Sequence, residues 1–207
     1  MKATVHRMVG VARRRDSWLQ PWLPQIIRHA SGQPVLELGC GWGDDTAVLT
    51  AAGLTVTGLD LSADLLAQAR RRVPQATFVQ QDLCDPWPLE RAGVILASLS
   101  LHYFRREQTR VLIDRAAGVL GPDGLLVCRL NSSRDVCYGA LGRLMGHRRI
   151  EPGLYRVHGS PKRFVSAADL EDLFSGWRVL HRRHRVSLRF GLPKALWEVV
   201  LQPPVGR

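Results

Sequence analysis

Residues 35–46 read VLELGCGWGDDT: an apolar stretch that carries Glu37 and then gives way to Gly39, Gly41 and Gly43, spaced two apart, before a segment of helical character. Glycines at the carboxyl end of a strand let the backbone turn sharply and lie close against a ligand. A dinucleotide fingerprint, GxGxxG, would close that loop on a third glycine and present a bare helix N-terminus to a pyrophosphate. Here Gly43 is followed by Asp44 and Asp45. Two carboxylates suit the positive end of a helix dipole but repel a diphosphate seeking the same place. Spacing and charge both disfavour NAD and favour a nucleoside that carries positive charge. Two more acids follow apolar runs, Asp60 after TVTGL and Asp82 after TFVQQ. A carboxylate at the second strand end can take both ribose hydroxyls, and one at the third can accept a hydrogen bond from an exocyclic amine. Each acid alone reads as a cap or turn residue; their order on three successive strand ends makes them a set.

The elements needed to bring these residues together are legible in the periodicity. Strands are expected at 35–38, 55–59, 77–80, 94–99 and 125–130, and helices at 44–52, 62–72 and 107–120. Ser62 is a helix cap, Pro74 a stop, and Gly121 with Pro122 ends the last of these helices. Strands this apolar, alternating with helices of about ten to fourteen residues, imply a parallel sheet covered on both faces. Before them, Trp18, Leu19, Trp22, Leu23, Ile26 and Ile27 have helical spacing, interrupted near Pro21 and Pro24. After them the rhythm lapses from 131 to 160, a length uncommon for a structureless loop. Ser166 and Asp169 then start a helix to Phe174, and strands are expected at 177–181, 185–190 and 195–201, the last two as a hairpin across 191–193.

With ELGCGWG, GLDLS, QQDL and LASLSLHYF in this order and spacing, the chain resembles a class I S-adenosylmethionine-dependent methyltransferase, strongly over residues 33–131. The stretch CRLNSSRDVCYG, residues 128–139, is loosely similar to small methyltransferases of the tellurite-resistance type. The resemblance implies a Rossmann-like α/β fold, a seven-stranded, mostly parallel sheet with helices on both faces and a C-terminal antiparallel hairpin. It implies S-adenosyl-L-methionine as cofactor. Glu37, Gly39, Gly41 and Gly43 would line its methionine end, Asp60 with Leu61 the ribose, Asp82 with the backbone of Leu83 the adenine, and Ser98 the region of the sulfonium. Where the family's fourth strand is usually preceded by an acid, this chain has Ala92 and Gly93. His102 and Tyr103, just after that strand, are the candidates for a catalytic base.

At 207 residues the chain is expected to form one domain: a helical lid at 1–32, a cofactor-binding core at 33–130, a substrate-side insertion at 131–163, and a closing helix and strands at 164–207. Lid and insertion would fold over the strand ends and shape the acceptor site, with Asn131, Arg134, Tyr138, Tyr155 and Arg156 suited to orienting an anionic or polar acceptor. The formal charge of +11 comes from 29 Lys plus Arg against 18 Asp plus Glu. Residues 1–128 hold 14 basic and 12 acidic side chains and residues 129–189 hold 13 and 5, so the surplus lies on the acceptor side. With no appended binding module, the expected acceptor is a small molecule. An RNA methyltransferase is the main rival, motivated by that basic segment, but SLSLHYF replaces the Asn or Asp followed by two prolines usual in the family's amino-methylating nucleic-acid enzymes. A non-catalytic cofactor-binding regulator is the third reading.

No metal site is expected: Cys40, Cys84, Cys128 and Cys137 lack CxxC spacing, and His181 with His184 has no second pair. Three of the cysteines lie in or just after strand-like runs, where a cysteine is usually a buried hydrophobe. No apolar run reaches the ~18 residues of a membrane span, and Arg13, Arg14 and Arg15 break the only apolar stretch of the N-terminus, which suits no secretory signal. A cytoplasmic location without membrane association is therefore expected.

Overall fold

A computed structural model describes residues 17–204. A 3-10 turn, Ser17–Trp22, leads into α1, Leu23–Ala30, with Pro21 inside the turn and Pro24 in the helix's first turn, where a missing N–H costs nothing. There follow β1 (Val35–Leu38), α2 (Asp44–Ala51), β2 (Val56–Asp60), α3 (Ala63–Arg72), β3 (Thr77–Gln80), β4 (Ala92–Ser98), a 3-10 turn (Leu101–Tyr103), α4 (Arg106–Val119) and β5 (Leu120–Asn131). Beyond them lie β6 (Arg148–Glu151), β7 (Leu154–Val157), β8 (Ser160–Arg163), α5 (Ala167–Leu173), β9 (Arg178–Ser187) and β10 (Lys194–Gln202).

The main sheet has seven strands in the order β3-β2-β1-β4-β5-β10-β9. Its first five are mutually parallel, while β10 runs antiparallel to both β5 and β9. The period of two along each strand sends alternate side chains to opposite faces. Ile95 and Ala97 join Leu112, Ile113 and Ala116 of α4 and Leu170 and Leu173 of α5 in one core, whereas Val94 and Leu96 join Ile26 and Ala30 of α1 and Leu49 of α2 in the other. Strand order reverses between β1 and β4, the place in such sheets where the carboxyl ends leave a crevice.

Several expectations are corrected. Residues 131–160 are not structureless: β6, β7 and β8 form a small antiparallel sheet of their own. Its strands have four residues each and are dominated by charged and polar side chains, so they carry no apolar alternation, and its turns are the visible signal. His158 and Gly159, both left-handed at φ 49° and 83°, make the tight connection from β7 to β8. The strands expected at 177–181 and 185–190 are one continuous strand, β9, whose arginines hide its pattern. The fifth strand begins at Leu120 and shifts register against β4 while residues 121–123 stay exposed.

The described part of the N-terminal segment is a core element: Trp18, Leu19, Ile26 and Ala30 are buried against the sheet. The rest of the expected lid, residues 1–16, and Arg13 to Arg15 with it, lies outside the described residues. Gly93, the second residue of β4, belongs to this packing, since a Cβ there would meet the Ala30 carbonyl oxygen at 2.4 Å, which leaves no room for a side chain at that position. Cys40 and Cys128 are buried but Cys84 and Cys137 are exposed, and all four are free thiols. Among the described residues no helix is long and apolar enough to cross a membrane.

Candidate active site

The carboxyl ends of β1, β2, β3 and β4 open into one cleft of about 530 Å³. Its walls include Glu37, Gly39, Gly41, Asp60, Leu61, Asp82, Leu83 and Ser98, eight of the nine residues expected at a cofactor. The ninth, Gly43, lies outside the lining. It is left-handed, φ 80°, at the N-terminus of α2, and a Cβ there would approach Ala69 of α3 at 3.3 Å, so it serves helix packing.

The loop geometry follows from which atoms crowd each glycine. Gly39 has φ 74°, and a Cβ would lie 2.6 Å from the Ser100 Cβ. Gly41 has φ 55°, and a Cβ would meet nothing within 4 Å, because that side of the loop is open space. The Gly41 N–H donates to Asp60 Oδ2 at 2.8 Å and the Ser62 N–H to Oδ1 at 2.9 Å, which ties the glycine loop to the end of β2 and fixes the carboxylate plane. Each carboxylate oxygen retains a second lone pair for a ligand. Asp82 accepts from the Cys84 N–H at 2.9 Å, and the Leu83 carbonyl is held by the Trp87 indole and Arg115. Leu99, at φ 57°, is a rare left-handed non-glycine residue on the cleft wall, a strained conformation of the kind that clusters at functional sites.

Five acids and two arginines line the cleft. Glu37 is 2% exposed and accepts the Thr46 hydroxyl at 2.5 Å. Burial, and next the neighbouring Asp45, push its carboxyl well above the usual range. Asp45 is likewise raised by burial, opposed first by Arg129 and by the Trp18 indole, which donates to it at 2.9 Å. Arg129 is buried on β5, stacks 4.1 Å from the Trp18 ring centroid and donates to the Ser98 hydroxyl at 2.9 and 2.7 Å. Asp44 is paired with Arg72 and Arg189. The two helix-start carboxylates are thus neutralised by arginines, while Glu37 and Asp60 face the cleft with no arginine bonded to them among the described residues. Such a cleft attracts a cationic nucleoside and repels a pyrophosphate.

The two candidate bases part company. Tyr103 lines the cleft. Burial and Asp60 raise its phenol above the ordinary value, which makes it a hydrogen-bond donor at neutral pH. His102 is 4% exposed and outside the cleft lining. Burial, then Lys194 and Lys162, push it down to about 3, so it is a weak base. The five residues expected at the acceptor lie outside the lining too. Asn131 is buried, its amide donating to the Arg163 carbonyl; Tyr138 donates to the Phe190 carbonyl at 2.6 Å; Tyr155 packs on Gly142; Arg156 caps the Gly159 carbonyl; Arg134 is exposed. In their place stand Trp42, Phe104, Arg129, Arg189 and Phe190. Arg129 had a signal, a lone charge within the apolar run LLVCRLN. Arg189 and Phe190 had none, because only the antiparallel return of β9 into β10 brings their loop to this rim.

The histidine pair is engaged elsewhere: His181 lies against the Trp22 ring, and His184 meets the Ser132 hydroxyl at 2.9 Å. Among the described residues no three His, Cys, Asp or Glu side chains cluster as metal ligands would.

A family model described as a methyltransferase domain matches residues 35–124. A trans-aconitate 2-methyltransferase of Paracidovorax citrulli is 38% identical over 105 residues, covering 49% of this chain and 40% of the relative. The chain therefore spans less than half the length of that curated relative. Among solved structures, a methyltransferase of Methanosarcina mazei described as S-adenosylmethionine-dependent superposes with a TM-score of 0.78 at 15% identity, covering 90% of this chain and 98% of the other. The 1,6-didemethyltoxoflavin-N1-methyltransferase of Burkholderia thailandensis, solved with 1,6-didemethyltoxoflavin and S-adenosylhomocysteine bound, gives 0.67 at 21% identity, covering 92% and 82%.

Proposed function

We propose that the chain, whose residues 35–124 match a methyltransferase-domain model, is a class I S-adenosylmethionine-dependent methyltransferase that binds S-adenosylmethionine in this cleft and methylates a small-molecule acceptor. The observation that carries the reading is the convergence of Glu37, Asp60 and Asp82, from three strand ends, with the open face of Gly41 on one cleft. When bound, the cofactor supplies a methyl group on a sulfonium, a good leaving group displaced in line by the acceptor.

What the chain's own residues do is bind, orient and exclude water. Asp60, its carboxylate plane fixed by two backbone donors, holds the ribose diol. Asp82 and the Leu83 backbone read the adenine edge. Glu37 meets the positive methionine end, and that charge favours the ionised carboxylate that burial opposes. Ser98, held by Arg129, shapes the floor by the reacting atoms. Aligning two partners in a dry site is worth up to about 7–11 kcal/mol in favourable cases, and this chain relies on that effect. Neither His102, pushed down to about 3 by burial, nor Tyr103, raised above its ordinary value, is a base matched to neutral pH. An acceptor whose reacting atom already carries its lone pair free of a proton suits such a site.

Calorimetric titration with S-adenosylhomocysteine and with NAD tests the cofactor half of the reading. One-to-one binding of the first and none of the second is expected; the reverse would refute it. A panel of small metabolites and bulk RNA tests the acceptor half, with methylation of a small molecule expected.

A further inference from the structure

Behind the wall formed by Tyr103 and Phe190 lies a buried basic cluster that the cofactor has no use for. Lys194, at the start of β10, is 7% exposed. Its Nζ donates to Asp135 Oδ2 at 3.0 Å and lies 5.6 Å from the Phe190 ring centroid. Asp135 is fully buried, and its other oxygen accepts the Ala195 N–H at 3.0 Å. Lys162 is half-buried on β8, the strand packed on the 3-10 turn that carries His102 and Tyr103. The His102 ring lies 4.1 Å from that of Tyr103, and its buried Nδ1 meets no hydrogen-bond partner among the described residues.

The charges here do not cancel. Asp135 is the carboxylate that favours the charged form of both lysines, while each lysine is held below its ordinary value, first by burial. Lys194 is further opposed by Lys162 and Arg129, and His102 by both lysines. Asp135 is bonded to Lys194 alone, and no carboxylate is bonded to Lys162 among the described residues, which leaves a positive charge in a partly buried place, a costly arrangement unless an anion completes it. An orphaned imidazole nitrogen beside it is the kind of unsatisfied buried polar group that calls for an explanation.

We propose that Lys162 and Lys194, with the His102 imidazole, bind an anionic group of the acceptor, a carboxylate or a phosphate, that reaches between Tyr103 and Phe190. The proposal rests on the methyl-transfer reading and names its substrate class: an acceptor with one anionic group in this cluster and its methylated atom toward the cleft. Charge-assisted hydrogen bonds of this type are short and strong enough to fix an orientation, which a site that works by alignment requires.

The test uses the full chain saturated with S-adenosylhomocysteine and titrated calorimetrically, at constant ionic strength, with citrate and separately with inorganic phosphate. Wild type is expected to bind at least one of them saturably and one-to-one, and the arm that binds identifies carboxylate or phosphate chemistry. Lys162→Gln should weaken that binding tenfold or more, Lys162→Arg should stay within threefold of wild type, and both should keep the wild-type affinity for S-adenosylhomocysteine. Arg148→Gln, on exposed β6, should bind the anion as wild type does. Absence of saturable binding to wild type, undiminished binding by Lys162→Gln, or loss in Arg148→Gln would each overturn the proposal. If S-adenosylhomocysteine itself does not bind, the cofactor reading fails separately, and the same titrations on the unliganded chain still report on the lysine site.

Discussion

Replacing Asp60 by Asn separates what holds the glycine loop from what holds a ligand. The carboxylate accepts the Gly41 N–H at 2.8 Å with one oxygen and the Ser62 N–H at 2.9 Å with the other. Asparagine has one carbonyl oxygen, so its NH2 must face one of those two donors, which then lacks an acceptor. An unsatisfied donor costs about 1–3 kcal/mol when buried, and the low end applies here because Asp60 is only partly buried. The unliganded variant should therefore fold, with a melting temperature a few degrees lower. The ligand loses more. Two hydrogen bonds from the ribose diol to an ionised carboxylate are worth about 1.5–3 kcal/mol each. Discounted for the open cleft, the sum is about 2–4 kcal/mol, or roughly 30- to 1,000-fold in Kd. Calorimetric titration with S-adenosylhomocysteine reads this directly, and Asp64→Asn, one turn further on the exposed start of α3, should stay within twofold of wild type. If folded Asp60→Asn binds within threefold of wild type, the ribose role of Asp60 is wrong, and with it the order of the three strand-end acids.

Other perturbations divide in the same way between fold and site. Gly39→Ala should lose about 2–5 kcal/mol in urea melts, from left-handed strain and the clash with Ser100, whereas Gly41→Ala should cost only about 1–2 kcal/mol of stability while weakening S-adenosylhomocysteine binding, since its methyl group enters the cleft. Glu37→Gln should raise the melting temperature of the unliganded chain at pH 7–8 and change it little at pH 4: a carboxyl raised on folding destabilises the native state as pH climbs above its unfolded value near 4.5. The same variant should bind S-adenosylhomocysteine more weakly. His102, lowered on folding to about 3, acts in the opposite sense, so its contribution is complete above pH 6.5 and falls by about 1 kcal/mol between pH 6.5 and 5.5; melting curves of His102→Gln should lose that part of the slope. Arg129→Met should cost about 3–5 kcal/mol by stranding the buried Asp45, with the deficit shrinking at low pH, where Asp45 takes up a proton.

How much of this was legible in the sequence depends on whether the signal is local. The glycine loop and the strand-end acids are short-range patterns, and eight of nine expected residues share a cleft. Gly43 resembled its neighbours in sequence, but its position against Ala69 depends on where α3 packs. His102 and Tyr103 are adjacent in a 3-10 turn that points one into the protein and the other to the cleft, which spacing cannot distinguish. The acceptor side was the least readable. Its walls come from a hairpin tip 145 residues beyond Asp44, and its insertion is a sheet whose strands are too short and too basic to show alternation. The surplus positive charge was visible in the composition, but only the fold separates the arginines that neutralise Asp44 and Asp45 from Lys194, which Asp135 holds.

Methyl transfer to a small molecule is decided by incubating the purified chain with methyl-labelled S-adenosylmethionine and, in parallel, a panel of anionic small metabolites and bulk RNA. S-adenosylhomocysteine release is expected, with label in a small acid-bearing product and none in RNA. Label recovered in RNA, or no S-adenosylhomocysteine release with any acceptor while the cofactor binds, would contradict it.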